Sequence, residues 1–357
     1  MQNCIKPFIS YFRRAFTMEK FLASSRKASD LLASKVGPGG ILQDSKVSGD
    51  LCSQYKLATL LLISGHTAKS HRLLDHIKRD FMQEDGDLIS FPEKSDRGRK
   101  SASFPMSHFW TYMNAWIAIG AHRMGRFDIS FPAFNFCKTF FHPEYQLVCV
   151  TEGLADVNDE STMDCLSTAH FGLLCLYMGD LERAKECGEG LLKLMAAQPN
   201  FEKEVLLRMS VKTGTLLENP PVNMEPFYIV KRDSPNQLYF FLGYHGIFMV
   251  KLFQTTKDQK FLESAKAVID FSLTCHESIC IFSFSHTVAY AAALLAVETK
   301  EVKYRRFAIG IGEYLISIQT KEGFFCKEMD LIDRYDQTAE IAIWLQELNN
   351  ELKKIVS

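Results

Sequence analysis

Acidic and histidine side chains stand near the predicted starts of six different apolar helices. Carboxyl and imidazole groups can donate or accept a proton near neutral pH, so these residue types suit general acid–base catalysis. A single histidine on an apolar helix is usually a core residue, but three of these helices carry one near the same end. We therefore predict that the catalytic groups come from one set: Asp44, His108, Asp164, His245, His286 and Asp336.

Two of these positions allow a structural interpretation as well. Asp336 and Glu340 are four residues apart, so both carboxyls would share one helix face, either for catalysis or as a cap and a packing carboxylate. Asp164 or Cys165 could face a cavity as an acid, base or nucleophile, or Asp164 could cap its helix. Consecutive helical residues point about 100° apart, so this pair is poorly placed to share a zinc ion. We predict no metal and no cofactor.

Side chains beside these positions supply the predicted substrate-binding wall. The chain has 28 Phe and 12 Tyr but only 3 Trp. Sugar-binding clefts favour tryptophan platforms and many charged groups, whereas Phe, Met and Cys suit an apolar ligand. The predicted substrate-binding residues are Trp110, Tyr112, Cys165, Tyr239, Tyr244 and Tyr335.

The elements that must position these residues follow a recurring pattern. Five times a helix that is apolar on nearly all sides ends in a short polar turn, and a one-sided amphipathic helix follows. A helix that is apolar all round must be buried, whereas a one-sided helix lies at the surface. The predicted inner helices span 49–64, 107–123, 161–177, 237–254, 284–298 and 336–350.

Counting the outer helices closes the pattern into a ring. An N-terminal helix over 18–35, ended by glycines and a proline at 37–40, would be the sixth outer helix. Six inner and six outer helices predict an all-α fold of six helical hairpins in a closed ring, an (α/α)6 toroid. We predict one toroid domain over 18–357, preceded by a basic N-terminal segment at 1–17.

The connections into the inner helices are long and those out of them are short. One face of the ring would therefore carry all the long loops, together with the N-termini of the inner helices. Loops on a rigid scaffold usually carry function, and helix N-termini attract negative charge. The site should open on that face.

This arrangement resembles the toroid superfamily that contains terpenoid cyclases, protein prenyltransferase β-subunits, and six-hairpin glycosidases and epimerases. Short glycine-containing segments strengthen the resemblance: GGIL (39–42), DGDL (85–88) and EGFF (322–325). The nearest match to the cyclases' acid motif runs from Asp156 to Asp159. There Asn158 replaces the central carboxyl that would donate the proton. The resemblance therefore implies the architecture and argues against ordinary protonation-initiated cyclisation.

Composition excludes several classes of protein. Lys and Arg total 41 against 42 Asp and Glu, so no basic face for nucleic acid is expected. The longest apolar stretches are about half a bilayer span, so we predict no integral membrane segment. Ten cysteines without paired spacing suggest reduced thiols in the cytoplasm. The basic, serine-containing first 29 residues keep a mitochondrial transit peptide open as an alternative.

Together these features predict an enzyme with a small, apolar substrate, terpenoid- or polyketide-like. It would act by general acid–base catalysis in the central cavity, as an isomerase, lyase or cyclase. One alternative is a carbohydrate-active hydrolase or epimerase of the six-hairpin type. Another is a non-catalytic binding or scaffold protein.

Overall fold

Six buried helices stand side by side around the axis of the molecule in a computed structural model. The model describes the backbone of residues 2–90 and 100–356 and the side chains of residues 19–90 and 100–355. Helix accounts for 62% of the chain. The inner helices are α2 (Leu57–Ile63), α5 (Trp110–Arg123), α7 (Cys165–Met178), α9 (Phe240–Thr256), α11 (His286–Thr299) and α13 (Leu331–Val356).

Outer helices alternate with the inner ones along the chain. On α11, every residue from His286 to Ala296 is buried, as a helix that is apolar all round requires. Amphipathic α8 instead buries one side only. The outer helices are α1 (Gln2–Lys35), α3 (Thr67–Phe81), α6 (Phe127–Lys138), α8 (Leu181–Ala196), α10 (Gln259–Thr274) and α12 (Val302–Ser317).

Three of the tight turns between an inner helix and the following outer helix share a backbone conformation. Helices α7, α9 and α11 each end at a residue with a left-handed conformation: Gly179, Lys257 and Lys300. The next residue is acidic in each case. Asp180 accepts a hydrogen bond from the backbone N–H of Arg183 and so caps α8. These pairs explain why short polar turns recur in the sequence.

The ring is closed. Each inner helix contacts the next, from α2 through α5, α7, α9 and α11 to α13, and α13 contacts α2. Outer helix α1 packs on α13, where the Ser25 hydroxyl donates to the carbonyl of Ala342 at 2.8 Å. The predicted (α/α)6 toroid, with its last inner helix beside its first, is confirmed.

The long connections into the inner helices gather at one end of the ring and carry small antiparallel sheets. The first sheet has the strand order β1 (Phe141–His142), β2 (Leu147–Cys149), β3 (Thr162–Asp164) and β5 (Arg208–Ser210). Strand β4 (Glu204–Leu206) pairs with β6 (Ile229–Lys231). Asp164 on β3 directly precedes α7, so this layer sits against the inner-helix starts.

Several helix boundaries differ from the prediction. The first inner segment is a 3-10 turn at Leu51–Ser53 followed by α2, rather than one helix over 49–64. The predicted helix over 107–123 begins at Trp110, because Phe109 leaves helical geometry after the short helix α4 (Phe104–His108). The last inner helix starts five residues earlier than predicted, at Leu331.

At the N-terminus, the helix predicted over 18–35 is part of a longer one that begins at Gln2. The basic side chains of the predicted segment 1–17 lie outside the described side chains. Within the described residues, no helix combines the length and apolarity needed to cross a membrane. The nine cysteines whose side chains are described are free thiols, and Cys4 lies outside that set.

Candidate active site

A cavity of about 360 Å³ opens at the end of the ring where the long loops gather. Its walls come from the starts of the inner helices and from the connections before them. The lining residues are Lys56, Ser103, Pro105, Met106, Phe109, Tyr112, Leu166, Phe227, Leu238, Phe240, Phe284, Met329, Asp330, Asp333, Asp336, Gln337 and Glu340.

The polar groups concentrate on one wall. Asp333, Asp336 and Glu340 follow each other at intervals of three and four along α13, which places the three carboxyls on one helix face. Asp330 precedes the helix and accepts a hydrogen bond from the Asp333 backbone N–H. Much of the remaining lining is apolar and includes four phenylalanines. The cavity therefore has an acidic side and an aromatic side.

A buried lysine sits between two of these carboxylates. Lys56 Nζ lies 2.8 Å from Asp336 Oδ1 and donates a hydrogen bond to Glu340 Oε2. Lys56, Asp336 and Glu340 are each at most 3% exposed. Burial disfavours the lysine charge, but the two adjacent carboxyls outweigh it and hold the pKa of Lys56 above its usual value.

Glu340 also contacts three aromatic side chains. Its Oε1 accepts from the Tyr244 hydroxyl at 2.9 Å and from the Trp344 indole N–H at 3.2 Å, and the Tyr112 hydroxyl lies 3.2 Å from the same oxygen. His286 Nε2 lies 3.3 Å from the same oxygen. The Ser283 carbonyl can only accept, so His286 Nδ1, 2.7 Å away, carries the hydrogen. Glu340 is thus held from several sides.

These surroundings push the carboxyl pKa values apart. Burial alone would raise the pKa of Glu340, but Lys56 and His286 outweigh it and hold that pKa well below its usual range. Burial and the nearby Glu340 charge raise the pKa of Asp336, against the opposing effect of Lys56. Burial raises the pKa of Asp333 to about 6. One lysine charge balances one carboxylate, so the Lys56–Glu340–Asp336 cluster is neutral when Asp336 keeps its proton.

Solved structures share this architecture at low sequence identity. A D-mannose isomerase matches with a TM-score of 0.65 at 12% identity, over 92% of this chain and 98% of that one. A GH76 α-mannanase of Bacteroides thetaiotaomicron matches with a TM-score of 0.63 at 12% identity, over 92% and 96%. A type II terpene cyclase from Scytonema matches at 0.56 and 11%, over 94% and 99%.

The chain is an (α/α)6 toroid. No protein-family model and no curated protein sequence matches it. Its structural neighbours include both carbohydrate-active enzymes and a terpene cyclase. At these identities the likeness shows the fold, and the site has to be argued from its own residues.

Four of the predicted site residues meet in the toroid interior. Asp336 and Tyr112 line the cavity, and Tyr244 and His286 surround Glu340 beneath it. Tyr112 and Tyr244 are joined by a hydrogen bond of 2.6 Å between their hydroxyls. Together with Lys56 they form the buried polar core of the toroid.

Two other predicted catalytic residues are not among the residues that line this cavity. Asp44 lies in the loop before the 3-10 turn, where it accepts a hydrogen bond from the Lys46 backbone N–H. His108 belongs to α4, and its Nε2 accepts from the Arg208 guanidinium at 2.6 Å. Burial and the Arg208 charge lower the pKa of His108 to about 3, so the ring is neutral. The His108 ring packs behind the cavity wall, against Phe109 and Phe227.

Asp164, Cys165 and His245 also lie outside the cavity lining. Asp164 caps α7 by accepting from the Ser167 backbone N–H at 2.7 Å, the structural interpretation noted above. Cys165 is buried under the sheet layer, and burial raises its thiol pKa. His245 Nε2 pairs with the Ser264 hydroxyl on outer helix α10 at 2.9 Å, so it faces outward from the axis.

The remaining predicted substrate-binding residues have other neighbours. The Trp110 indole donates to Asp87 at 3.0 Å beside buried Lys100. The Tyr239 hydroxyl pairs with the Ser278 hydroxyl at 3.0 Å. Tyr335 packs against Phe324. None of the three is among the residues that line the described cavity.

Sequence reasoning missed Lys56, Asp330 and Asp333. The acidic spacing from Asp330 to Glu340 is visible in the sequence, but the predicted helix began only at 336. A lysine directly before the apolar run at 57–63 was the signal for Lys56, because a buried lysine requires a charged partner. Among the described side chains, no His, Cys, Asp and Glu group has the arrangement of a metal site.

Proposed function

We propose that this toroid is a carbohydrate-active enzyme, a hydrolase or epimerase, that works by general acid–base catalysis at the acidic wall of the cavity. The observation that carries the proposal is the acidic wall, where Asp330, Asp333, Asp336 and Glu340 line one cavity and where burial raises the pKa of Asp336. Two carboxyls with different pKa values can serve as acid and base in one site. The fold neighbours that act on mannose and on mannan support the choice of substrate class.

In this proposal Asp336 is the general acid and Asp333 the general base. The raised pKa of Asp336 favours its protonated form, and a proton on Asp336 leaves the cluster with Lys56 and Glu340 neutral. Asp333 has a pKa near 6, so it is mostly ionised at neutral pH and can accept a proton. Lys56 and Glu340 are positioning residues, since Glu340 already accepts from Lys56, Tyr244 and Trp344.

The cavity wall suits a hydroxylated ring. Carboxylates accept hydrogen bonds from sugar hydroxyls, and the opposite phenylalanines offer flat apolar faces for the C–H side of a ring. A volume of about 360 Å³ lies within the range of small-molecule sites.

The test is turnover of simple sugars by the intact chain. Proton NMR would follow D-mannose, D-glucose and α-1,6-mannobiose for anomeric products or epimers. We expect conversion of at least one, reduced about 10²–10⁴-fold in Asp336→Asn. Asp233→Asn is the matched control, because Asp233 is an exposed carboxyl paired with Arg232 at the surface. Binding without turnover would favour a non-catalytic role. If the chain neither binds nor converts any of these sugars, the sugar substrate is rejected.

A second candidate is an isomerase, lyase or cyclase that acts on an apolar terpenoid- or polyketide-like molecule. The four phenylalanines of the cavity, Phe109, Phe227, Phe240 and Phe284, favour it. Their ring faces could stabilise a developing cation. Mass spectrometry of small molecules extracted from the purified chain distinguishes the two, because an apolar metabolite would support this candidate and a sugar the first.

A further inference from the structure

A second cavity, of about 480 Å³, lies at the opposite end of the ring. Its lining includes residues near the C-terminal ends of inner helices, among them Arg123 on α5, Tyr177 on α7 and Thr255 on α9. These helix ends adjoin the short turns. This face is therefore separate from the one that carries the long loops.

A thin layer of side chains separates the two cavities. Tyr112 and Glu340 line the first cavity and Tyr244 lines the second. The Tyr112 and Tyr244 hydroxyls lie 2.6 Å apart, and the Tyr244 hydroxyl donates to Glu340 at 2.9 Å, so the three side chains are connected across the ring axis. The two cavities share no lining residue, so a ligand in one would contact a different set of side chains from a ligand in the other.

Aromatic rings dominate the inner walls of the second cavity. Two of the three tryptophans of the chain, Trp116 and Trp344, line it with ring centroids 5.9 Å apart. Tyr290 packs 5.1 Å from Trp344, and Tyr177 lies at the rim. Rigid tryptophan and tyrosine faces with polar edges are suited to stacking a small ring.

Three buried polar atoms of the lining residues have no hydrogen-bond partner within the described part of the chain. They are Oγ1 of Thr59, the indole Nε1 of Trp116 and Nδ1 of His170. Leaving a buried donor or acceptor unpaired costs about 1–3 kcal/mol. Burial lowers the pKa of His170 to about 3, so its ring is neutral and offers one N–H and one lone pair. A ligand with both donors and acceptors would match these atoms.

The charges around the cavity are balanced. Arg123 and Lys251 contribute two positive charges, and Glu347 and Glu351 contribute two carboxyls. Lys251 Nζ lies 3.9 Å from Glu351 Oε1. An aromatic cage for an organic cation would have an excess of negative charge, and a phosphate site an excess of positive charge. The balance favours an uncharged ligand.

We propose that this second cavity binds an uncharged, hydroxylated ring of the size of a monosaccharide. The ring would stack on the face of Trp344 and exchange hydrogen bonds with the Trp116 indole N–H, His170 and the charged rim. This proposal goes beyond the proposed catalysis, because it rests on the second cavity alone and concerns binding without reaction.

The test is isothermal titration calorimetry of the intact chain with D-mannose, D-glucose and D-xylose, together with tryptophan fluorescence. We expect at least one sugar to bind and to change the emission, since Trp116 and Trp344 lie in the cavity. Arg123→Gln and Trp116→Phe should each weaken binding about tenfold. Arg79→Gln is the control, because Arg79 is an exposed arginine of α3 outside this lining.

Asp336→Asn separates this proposal from the proposed function. Turnover should fall in Asp336→Asn while sugar binding at the second cavity persists unchanged. Sugar binding that is lost in Asp336→Asn but insensitive to Arg123→Gln would locate the ligand in the first cavity and overturn the proposal. Binding of choline in place of the sugars, or no binding of any of the three, would overturn it as well. Arg123 is exposed, so its variant tests the cavity without endangering the fold.

Discussion

Lys56 and Asp336 meet across the seam where the ring closes. Lys56 immediately precedes the first inner helix, Asp336 lies on the last, and Lys56 Nζ lies 2.8 Å from Asp336 Oδ1. Glu340, one turn further along α13, binds the same ammonium group. The site that we propose for catalysis is therefore also a contact that joins the two ends of the ring.

Lys56→Met should destabilise the protein by about 3–5 kcal/mol, because it leaves a buried Glu340 carboxylate without its cation. Urea denaturation would measure the loss. Lys78→Met is the matched control: Lys78 contacts Asp128 at the same distance of 2.8 Å but at the surface. Lys78→Met should lower the free energy of unfolding by no more than about 1 kcal/mol. Adding Glu340→Gln to Lys56→Met should recover part of the stability; equal losses in both single lysine variants would contradict the buried-charge argument.

Asp333 should make stability fall as pH rises from about 4 to about 6. Its folded pKa of about 6 lies above the unfolded value of about 3.9, so the folded state binds the proton more tightly. The stabilising contribution is therefore complete below the unfolded pKa and is lost as pH rises through the folded one. Melting temperatures of wild type minus Asp333→Asn across this range isolate the effect, and a difference that does not vary with pH would refute it.

The carboxyls of Asp333 and Asp336 together predict the pH dependence of turnover. Activity should rise as Asp333, the proposed base, loses its proton near pH 6 and fall where Asp336, the proposed acid, loses its own. The acidic limb should move with the new carboxyl in Asp333→Glu, whereas Asp233→Asn should leave the profile unchanged. A rate that increases steadily from pH 5 to pH 9 would exclude Asp336 as the acid.

The sequence was sufficient for the fold because the inner helices are apolar on all sides. A run such as residues 289–296 can only be buried, and its alternation with amphipathic helices determines which side of each hairpin faces the axis. The left-handed turn residues followed by acids mark the hairpins locally. These signals depend only on residues close together in the chain, so a single sequence is enough to detect them.

The site was less predictable because it depends on helix phase and on contacts between distant segments. Tyr112, Tyr244 and Asp336 were chosen from their place near helix starts, and they lie at or beneath the cavity. The same criterion selected His108 and His245, whose hydrogen bonds go to Arg208 and Ser264. Lys56 and Glu340 are 284 positions apart, and no local sequence pattern indicates that their side chains are in contact.

The ring interior should tolerate no added volume where α9 meets α11. At Gly243 on α9, a Cβ would lie 2.5 Å from the backbone carbonyl carbon of Thr287 on α11, closer than any real Cβ contact. Backbone cannot rotate away as a side chain can, so Gly243→Ala must push the two inner helices apart. We expect a loss of about 1–3 kcal/mol from overpacking, which would exceed the gain in helix propensity.

Gly310→Ala on outer helix α12 is the control, since nothing lies within 4 Å of its added Cβ. It should stabilise the protein by about 0.5–1 kcal/mol. Thermal unfolding of both variants against wild type tests the argument, and a Gly243→Ala protein at least as stable as wild type would mean that α9 and α11 do not pack this closely.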